Sequence, residues 1–437
     1  MFTGTSPKAR AVAVIISSYD PREVSVQPTV MHVLAVTEEF PYPPDTGWKL
    51  RTWNLLSRLA GEHEITVVCR ADPTEAEAVE VLRERGFRVA PVWRRRRVKA
   101  GPRFYASLLW NLADPRPYLV SAHCSSALRN RVAKLLTSRR FDVVHCDWTP
   151  LMANVPYAAR ARTVVTAHNV ETEIWRRYLS IERNPVRAWY ISRQLQKLVA
   201  FEGQALRLAG LVVAVSNRDA ELIRSWFGCE GVQVVCNGVD LDYFRRAPGS
   251  ERDGQLLYAG SMDTIANADA ARWLVSEVLP LVARRHPQVS LNVVGRNPTL
   301  AVKSLARQGP VRVTGSVADV RPYYVAAQVV VVPLRIGGGT RLKILEAWAM
   351  GKAVVSTSLG CEGLGARQGH NLLIADGAPM FAEAIVKLLE DPVARRALGE
   401  AGRQTVAAHY DYDVIAPRLA EAWEEVALKA GPACRVL

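Results

Sequence analysis

The amino-acid sequence reads as an α/β protein built from two doubly wound, Rossmann-like domains. Its 437 residues exceed what one hydrophobic core usually serves, so two domains of roughly 200 residues each are expected. Short β-branched runs alternate with longer helical patterns in two successive series. Between the series, FRRAPGSERDGQ (residues 244–255) breaks the rhythm with charge and turn formers, and a fresh strand pattern follows.

Taken in order, residues 1–30 carry only the short apolar run AVAVII, well under the roughly 20 residues of a membrane span. With no n-region, h-region or cleavage pattern either, they are expected to form a loose extension, neither signal peptide nor anchor. The first domain, residues 31–245, contains MHVLAV, EITVVC, FRVAPV, FDVVHC, RTVVTA, GLVVAV and VQVVC. The second, residues 246–408, contains QLLYAG, VSLNVVG, VRVTG, QVVVVP and KAVVST. Continuous apolar strands separated by helices imply parallel sheets covered on both faces. The last segment, residues 409–437, includes the helical pattern DVIAPRLAEAWEEVALK. It is expected to cross back and cover the first domain.

The composition, 49% hydrophobic and 22% charged, excludes a disordered or fibrous chain. Seven cysteines are scattered, odd in number and never arranged as CxxC or with His at ligand spacing. That points to a reducing, cytoplasmic compartment and no structural zinc. A formal charge of +14 admits nucleic acid, an anionic membrane surface or phosphorylated ligands. Its densest piece, WRRRRVKAGPRFYASLLWNL, sets Arg94, Arg95, Arg96, Arg97 and Lys99 ahead of Phe104, Tyr105, Leu108, Leu109 and Trp110. Basic residues before an aromatic-rich amphipathic stretch suit docking on anionic lipid; a solvated charge run before a core helix is the other reading. No zinc-finger, RNP or helix-turn-helix pattern supports nucleic acid as a partner.

The stretch that carries chemistry is GGGTRLKILEAWAMGKAVV, residues 337–355. In open α/β sheets, ligands sit beyond the carboxyl ends of strands, where helix N-termini present unsatisfied N–H groups. Here QVVVVP is the strand, Gly337, Gly338 and Gly339 let backbone approach an anion, and Thr340 is placed to cap the following helix. Backbone donors, helix dipole, Arg341 and Lys343 would converge on one region, a combination that suits a diphosphate. Glu346 falls near the buried side of that helix and needs a partner. A ribose diol would supply two hydroxyl donors; an internal pair with Arg341 or Lys343, or a solvated surface position, are the alternatives.

From Val332 to Leu364 the sequence closely resembles the donor-site segment of retaining glycosyltransferases of family four, the group 1 transferases with the GT-B fold. Further matching pieces include PYPPDTGWKLRTWNLLSRLA, VVTAHNVETEIWRR, AVSNRDAELI, NGVDLDYF, YAGSMDTIANADAARWLV, VVGRNP and VTGSVADVRPYY. The resemblance covers roughly residues 31–425 and is greatest to the subgroup found with exopolysaccharide and PEP-CTERM sorting systems. It implies two Rossmann-like domains facing a central cleft, an acceptor domain first and a nucleotide-sugar domain second.

By resemblance, Glu346 matches the second Glu of the family's paired motif, which holds the nucleotide ribose. Gly338 stands where many members have the first Glu, so that contact to the donor sugar is missing or made by backbone N–H groups of the GGGT loop. The family also carries an Arg and a Lys after the first strand of the nucleotide domain. AGSMDTIANADA, beginning just before Gly260 of the donor set, has neither; Arg341 and Lys343 are expected to compensate, with Arg296 in VVGRNP as a further candidate. Gly47 matches the loop that approaches the donor phosphates across the cleft, where its plain reading is a turn glycine. His168 in TAHNVE matches a His near the reacting sugar, and Val317 matches a position whose backbone meets the base. Elsewhere such residues are ordinary structural ones.

The resemblance therefore implies a hexosyltransferase that moves sugar from a nucleotide donor, expected to be UDP-linked, with retention at the anomeric carbon. The acceptor would be lipid-linked or polysaccharide, in bacterial surface or exopolysaccharide synthesis, at the inner face of the plasma membrane. No metal and no cofactor beyond the nucleotide-sugar co-substrate are expected. A catalytically silent GT-B binding subunit and a nucleotide-sugar epimerase remain as alternatives. A nicotinamide-dependent dehydrogenase is disfavoured, because no GxGxxG joins a strand to a helix near either domain's start.

Overall fold

In a computed structural model the chain is described over residues 30–95, 101–246, 249–336 and 342–431. The first sheet is built from β1 (His32–Val36), β2 (Glu64–Val68), β3 (Arg88–Val89), β4 (Val143–Cys146), β5 (Thr163–Ala167), β6 (Leu211–Ala214) and β7 (Val232–Val234). Their order is β3-β2-β1-β4-β5-β6-β7, with every neighbouring pair parallel. β1 pairs His32 with Glu64 on one side and Val33 with Val143 on the other. The apolar run FRVAPV splits: only Arg88–Val89 joins the sheet, while Val92–Trp93 pairs with Arg70–Ala71 in a short separate ladder.

The second sheet contains β8 (Gln255–Ala259), β9 (Ser290–Val294), β10 (Val311–Val313), β11 (Val329–Val332), β12 (Ala353–Ser356) and β13 (Leu373–Ile374), in the order β10-β9-β8-β11-β12-β13. All pairs are again parallel. β13 has no counterpart among the runs picked from the sequence, because its two residues are not part of a longer β-branched run. Strands such as β8 and β11 are buried along their whole length, as expected of a sheet covered on both faces.

The chain enters the second domain's core earlier than the composition break suggests. Val239 and Phe244 already pack there, ahead of the charged stretch, because the apolar positions of GVDLDYF find the second sheet before the linker ends. The final helix, α7 (Tyr412–Lys429), lies on α1 (Gly47–Leu59). Its Tyr412, Ile415, Leu419, Trp423 and Val426 complete the first domain's core. Outbound and returning connections run side by side: Val239 N–H donates to the Tyr410 carbonyl at 2.8 Å, and Val239 bridges Asp411. Buried Arg51 of α1 locks the outbound strand end, with Nη2 donating to the Val235 carbonyl at 2.7 Å and Nη1 to Asn237 Oδ1 at 3.1 Å. A Cβ at Gly238 would lie 2.7 Å from Ile415 Cδ1 and 2.8 Å from the Tyr410 carbonyl oxygen, so the crossing tolerates only glycine.

Candidate functional site

Strand order reverses at the β8/β11 boundary in the second sheet, and the crevice beyond the carboxyl ends at such a reversal is where ligands sit in this architecture. Gly260 and Ser261 follow β8, Leu334 to Ile336 follow β11, and all line a cavity of about 750 Å³. Its opposite wall comes from the first domain: Gly47 at the start of α1, Asn169 after β5, and α2 (Glu171–Ile181). Gly47 meets the second domain closely, since a Cβ there would lie 3.4 Å from Leu342 Cδ1.

Lys343 and Glu346 project from α5 (Leu342–Ala349), which follows β11. Lys343 Nζ donates to Asn267 Oδ1 at 2.9 Å and sits 4.5 Å from the centre of the Tyr258 ring. The Tyr258 hydroxyl donates to the same Asn267 oxygen at 2.9 Å. Asn267 is fixed in turn by α4 (Ile265–Trp273), whose N-cap Thr264 accepts from its backbone N–H. Gly260 opens the space for the ammonium: a Cβ there would stand 2.7 Å from Lys343 Nζ. The lysine thus occupies the region after the first strand of this domain that lacks a basic residue of its own.

Glu346 accepts from the Tyr324 hydroxyl at 2.8 Å. Burial pushes the Glu346 carboxyl above the usual carboxylate range, with the Tyr324 hydrogen bond and the Lys343 charge acting against that rise. Among the described residues its hydrogen-bond partner is a tyrosine 22 residues away in sequence. The expectations for Gly337, Gly338, Gly339, Thr340 and Arg341 lie outside the described residues, as do those for Arg96, Arg97 and Lys99 and for residues 1–29.

His168 follows β5, mostly buried, with Nε2 3.5 Å from Asp147 Oδ1. The same carboxylate oxygen lies 3.4 Å from His145 Nε2, and Trp423 of α7 donates to His145 Nδ1 at 3.2 Å. Burial works to raise the Asp147 carboxyl, but the two imidazoles outweigh it and hold it well below the usual range. Behind α2, Glu202 accepts the N–H groups of Glu171 and Thr172 at 2.8 and 2.9 Å, satisfying that helix start. Glu171 accepts from Trp148 Nε1 at 2.8 Å; burial pushes its carboxyl up to about 7, opposed by that bond and assisted by the Glu202 charge. Among the described residues no group of three His, Cys, Asp or Glu side chains could hold a metal ion.

His168 and two expected donor residues fall outside the cavity lining. Arg296 Nε donates to Ser261 Oγ at 2.6 Å and Nη1 to the Asp45 carbonyl across the cleft at 3.3 Å, which ties the guanidinium to protein groups. Val317 is half-buried and packs on the second domain's core. Asn267, Tyr258, Tyr324 and Asp147 were not singled out from the sequence. Only RPYY, next to the recognised TGSVADV, offered a local signal for Tyr324. Arg94 and Arg95 are exposed.

Two family models match the chain: Glycosyltransferase Family 4 over residues 47–243 and Glycosyl transferases group 1 over residues 253–391. A GDP-mannose-dependent alpha-(1-6)-phosphatidylinositol monomannoside mannosyltransferase of Mycobacterium tuberculosis is 28% identical over 233 residues, 48% of this chain and 60% of that protein. An MMP alpha-(1->4)-mannosyltransferase of Mycolicibacterium hassiacum is 26% identical over 72% of this chain and 77% of its own length. The chain spans less than two thirds of the length of the first curated relatives it matches. Sucrose-phosphate synthase from Thermosynechococcus elongatus superposes with a TM-score of 0.66 at 18% identity, over 91% of this chain and 100% of that one, a likeness of fold.

Proposed function

The chain belongs to the group 1, family 4 glycosyltransferases, and from that footing we propose that it moves a sugar from a nucleoside diphosphate donor, held by its second domain, onto an acceptor held by its first. The observation that carries this reading is the placement of Lys343 and Glu346 together at the sheet's reversal point, facing Gly47 across one cavity. Glu346, oriented by Tyr324, accepts the ribose hydroxyls. Lys343, braced by Asn267 and Tyr258, meets the diphosphate charge that grows as the sugar leaves, aided by the N-terminal end of α5. Gly337, Gly338, Gly339, Thr340 and Arg341 belong to the same donor segment, and Gly260 keeps the ammonium's space clear.

Transfer proceeds with retention and without a metal. The acceptor oxygen bonds to the anomeric carbon as the bond to the phosphate oxygen breaks, and the departing phosphate takes the acceptor proton on the same face. His168, steadied by Asp147, contacts the reacting sugar or the acceptor. Closure of the domains around the donor excludes water that would hydrolyse it. The M. tuberculosis relative is named for GDP-mannose, so GDP-mannose stands beside the UDP-sugars as the first donors to try.

The acceptor is lipid-linked or polysaccharide, and the enzyme works as a cytoplasmic peripheral protein of bacterial surface or exopolysaccharide synthesis. The helix Pro102–Asn111 exposes Arg103, Tyr105, Leu109 and Trp110 and follows exposed Arg94 and Arg95, which supports contact with an anionic membrane. Among the described residues no helix is long and apolar enough to cross a membrane.

Calorimetry with a panel of UDP- and GDP-sugars and their nucleotides tests the reading. One nucleotide family should bind to the wild type and lose binding in Glu346→Ala. If no member of the panel binds, the donor site is not one and the reading fails.

A further inference from the structure

Helix α2 turns one apolar row into the cavity. Ile174, Tyr178 and Ile181 stand at i, i+4 and i+7, share one face of the helix, and all line it. Tyr178 is 46% and Ile181 51% exposed. Across the cleft, Ile265, Ile336 and Leu342 line the same space, with Ile265 61% exposed. The row runs roughly 10 Å along the helix.

An apolar face exposed inside a cleft marks a ligand or partner surface, and its chemistry narrows the ligand. Tyr178 alone could stack on a sugar ring. Isoleucines offer no ring face and no hydrogen bond to the hydroxyls of a saccharide, so a purely saccharide acceptor would leave them poorly matched. Of the two cations on this stretch, Arg176 lies over the Trp226 ring at 4.1 Å, and Arg177, which lines the cavity, is already bound to Glu173 at 2.8 Å and lies 4.0 Å from Glu362 of the other domain. The row is continuous with the polar end of the cavity, where Asn169, Lys343 and Glu346 sit. An amphiphile whose polar end reaches the donor while its hydrocarbon follows α2 matches both ends.

Resting on the transferase reading above, we propose that the acceptor is lipid-linked, with the first part of its hydrocarbon chain lying along Ile174, Tyr178 and Ile181. The chain is recognised by burial of methylenes, and the row decides between lipid-linked and free saccharide acceptors.

Binding of n-alkyl glucosides from methyl to nonyl, each below its micelle concentration, would be measured by calorimetry on the full chain saturated with whichever nucleotide it binds. Affinity should rise with chain length, by up to roughly fourfold per buried methylene. Ile181→Asn and Tyr178→Ser should flatten that slope while leaving nucleotide binding unchanged, and Ile181→Asn should also leave methyl glucoside binding unchanged. Both positions are solvent-facing, so these variants fold. No length dependence in the wild type, or the same slope in both variants, overturns the proposal. So does a slope lost in Leu109→Ser/Trp110→Ser instead, which would place the chain on the Pro102–Asn111 helix. Concentration-dependent dimerisation abolished by Ile181→Asn, without chain-length dependence, would assign the face to a second copy and likewise overturn it. Nucleotide binding without length dependence removes only this inference. If no nucleotide binds, the transferase reading itself falls, and the alkyl series on the unliganded chain still judges the apolar row.

Discussion

The two walls of the cleft handle polarity in opposite ways. On the second domain's wall the charged groups face the cavity, Lys343 and Glu346 each braced by a neutral partner, Asn267 and Tyr324. On the first domain's wall the carboxylates Asp147, Glu171 and Glu202 are buried behind the surface, while Ile174, Tyr178 and Ile181 of α2 face the cavity. A wall that must meet a diphosphate keeps its charges poised and lightly held. On the proposed reading, the wall that meets hydrocarbon keeps its carboxylates behind it, where they position a helix start and an imidazole, and pairs its lining Arg177 with Glu173.

The largest test of that contrast is Lys343→Ala. Removing a charge aimed at the leaving group should cut turnover by about 10²–10³-fold with a much smaller change in donor affinity, as single-turnover kinetics beside calorimetry would report. Unchanged turnover would end the assignment of an electrostatic role to this wall.

Glu171→Gln probes the opposite wall through stability. Burial raises this carboxyl from 4.5 to about 7, so the folded state holds a proton that the unfolded chain has released, and stability falls as pH rises between those values. The neutral amide removes that cost. It should gain nothing below pH 4.5 and up to about 3 kcal/mol above pH 7, measured by urea denaturation at both ends. A gain that is the same at pH 4 and pH 8 would show that the charge is not what the wall conceals.

Glu346 sharpens the comparison from the donor side. Because burial raises its carboxyl, wild-type donor affinity should weaken as pH is lowered toward that raised value, since protonation takes away an acceptor for the ribose hydroxyls. Glu346→Gln should bind more weakly at pH 8 and lose the pH dependence. The smallest effect belongs to Asp147→Asn, where loss of the anion beside His168 should lower turnover by about tenfold without changing donor affinity. A matching loss of donor affinity would mean that the two walls are not separable.

Strand identity was legible because each run is continuous and apolar; twelve of the runs read from the sequence sit in the two sheets. β13 was not, since its two residues sit in no longer β-branched run, unlike the equally short β3 within FRVAPV. The site was legible as a segment: GGGTRLKILE announced Lys343 and Glu346 through their place between a buried strand and a helix. Arg296 and Val317 carried the same kind of motif signal, yet one is tied to Ser261 and Asp45 and the other to the core. Motif position says which loop a residue occupies, and side-chain packing decides where its atoms point.

The sequence by itself determined the alternation of strand and helix and the two sheets, because those follow from periodicities that repeat within a few residues. Only the tertiary structure decided the partners: Tyr324 for Glu346, Asn267 for Lys343 across 76 residues, Asp147 for His168, and Val239 beside Asp411 at the crossing. It also decided that the apolar face of α2 would line the cavity, where its hydrophobic spacing could equally have filled a core. Contacts of this kind depend on how whole elements stack around the two sheets, and no local spacing encodes that.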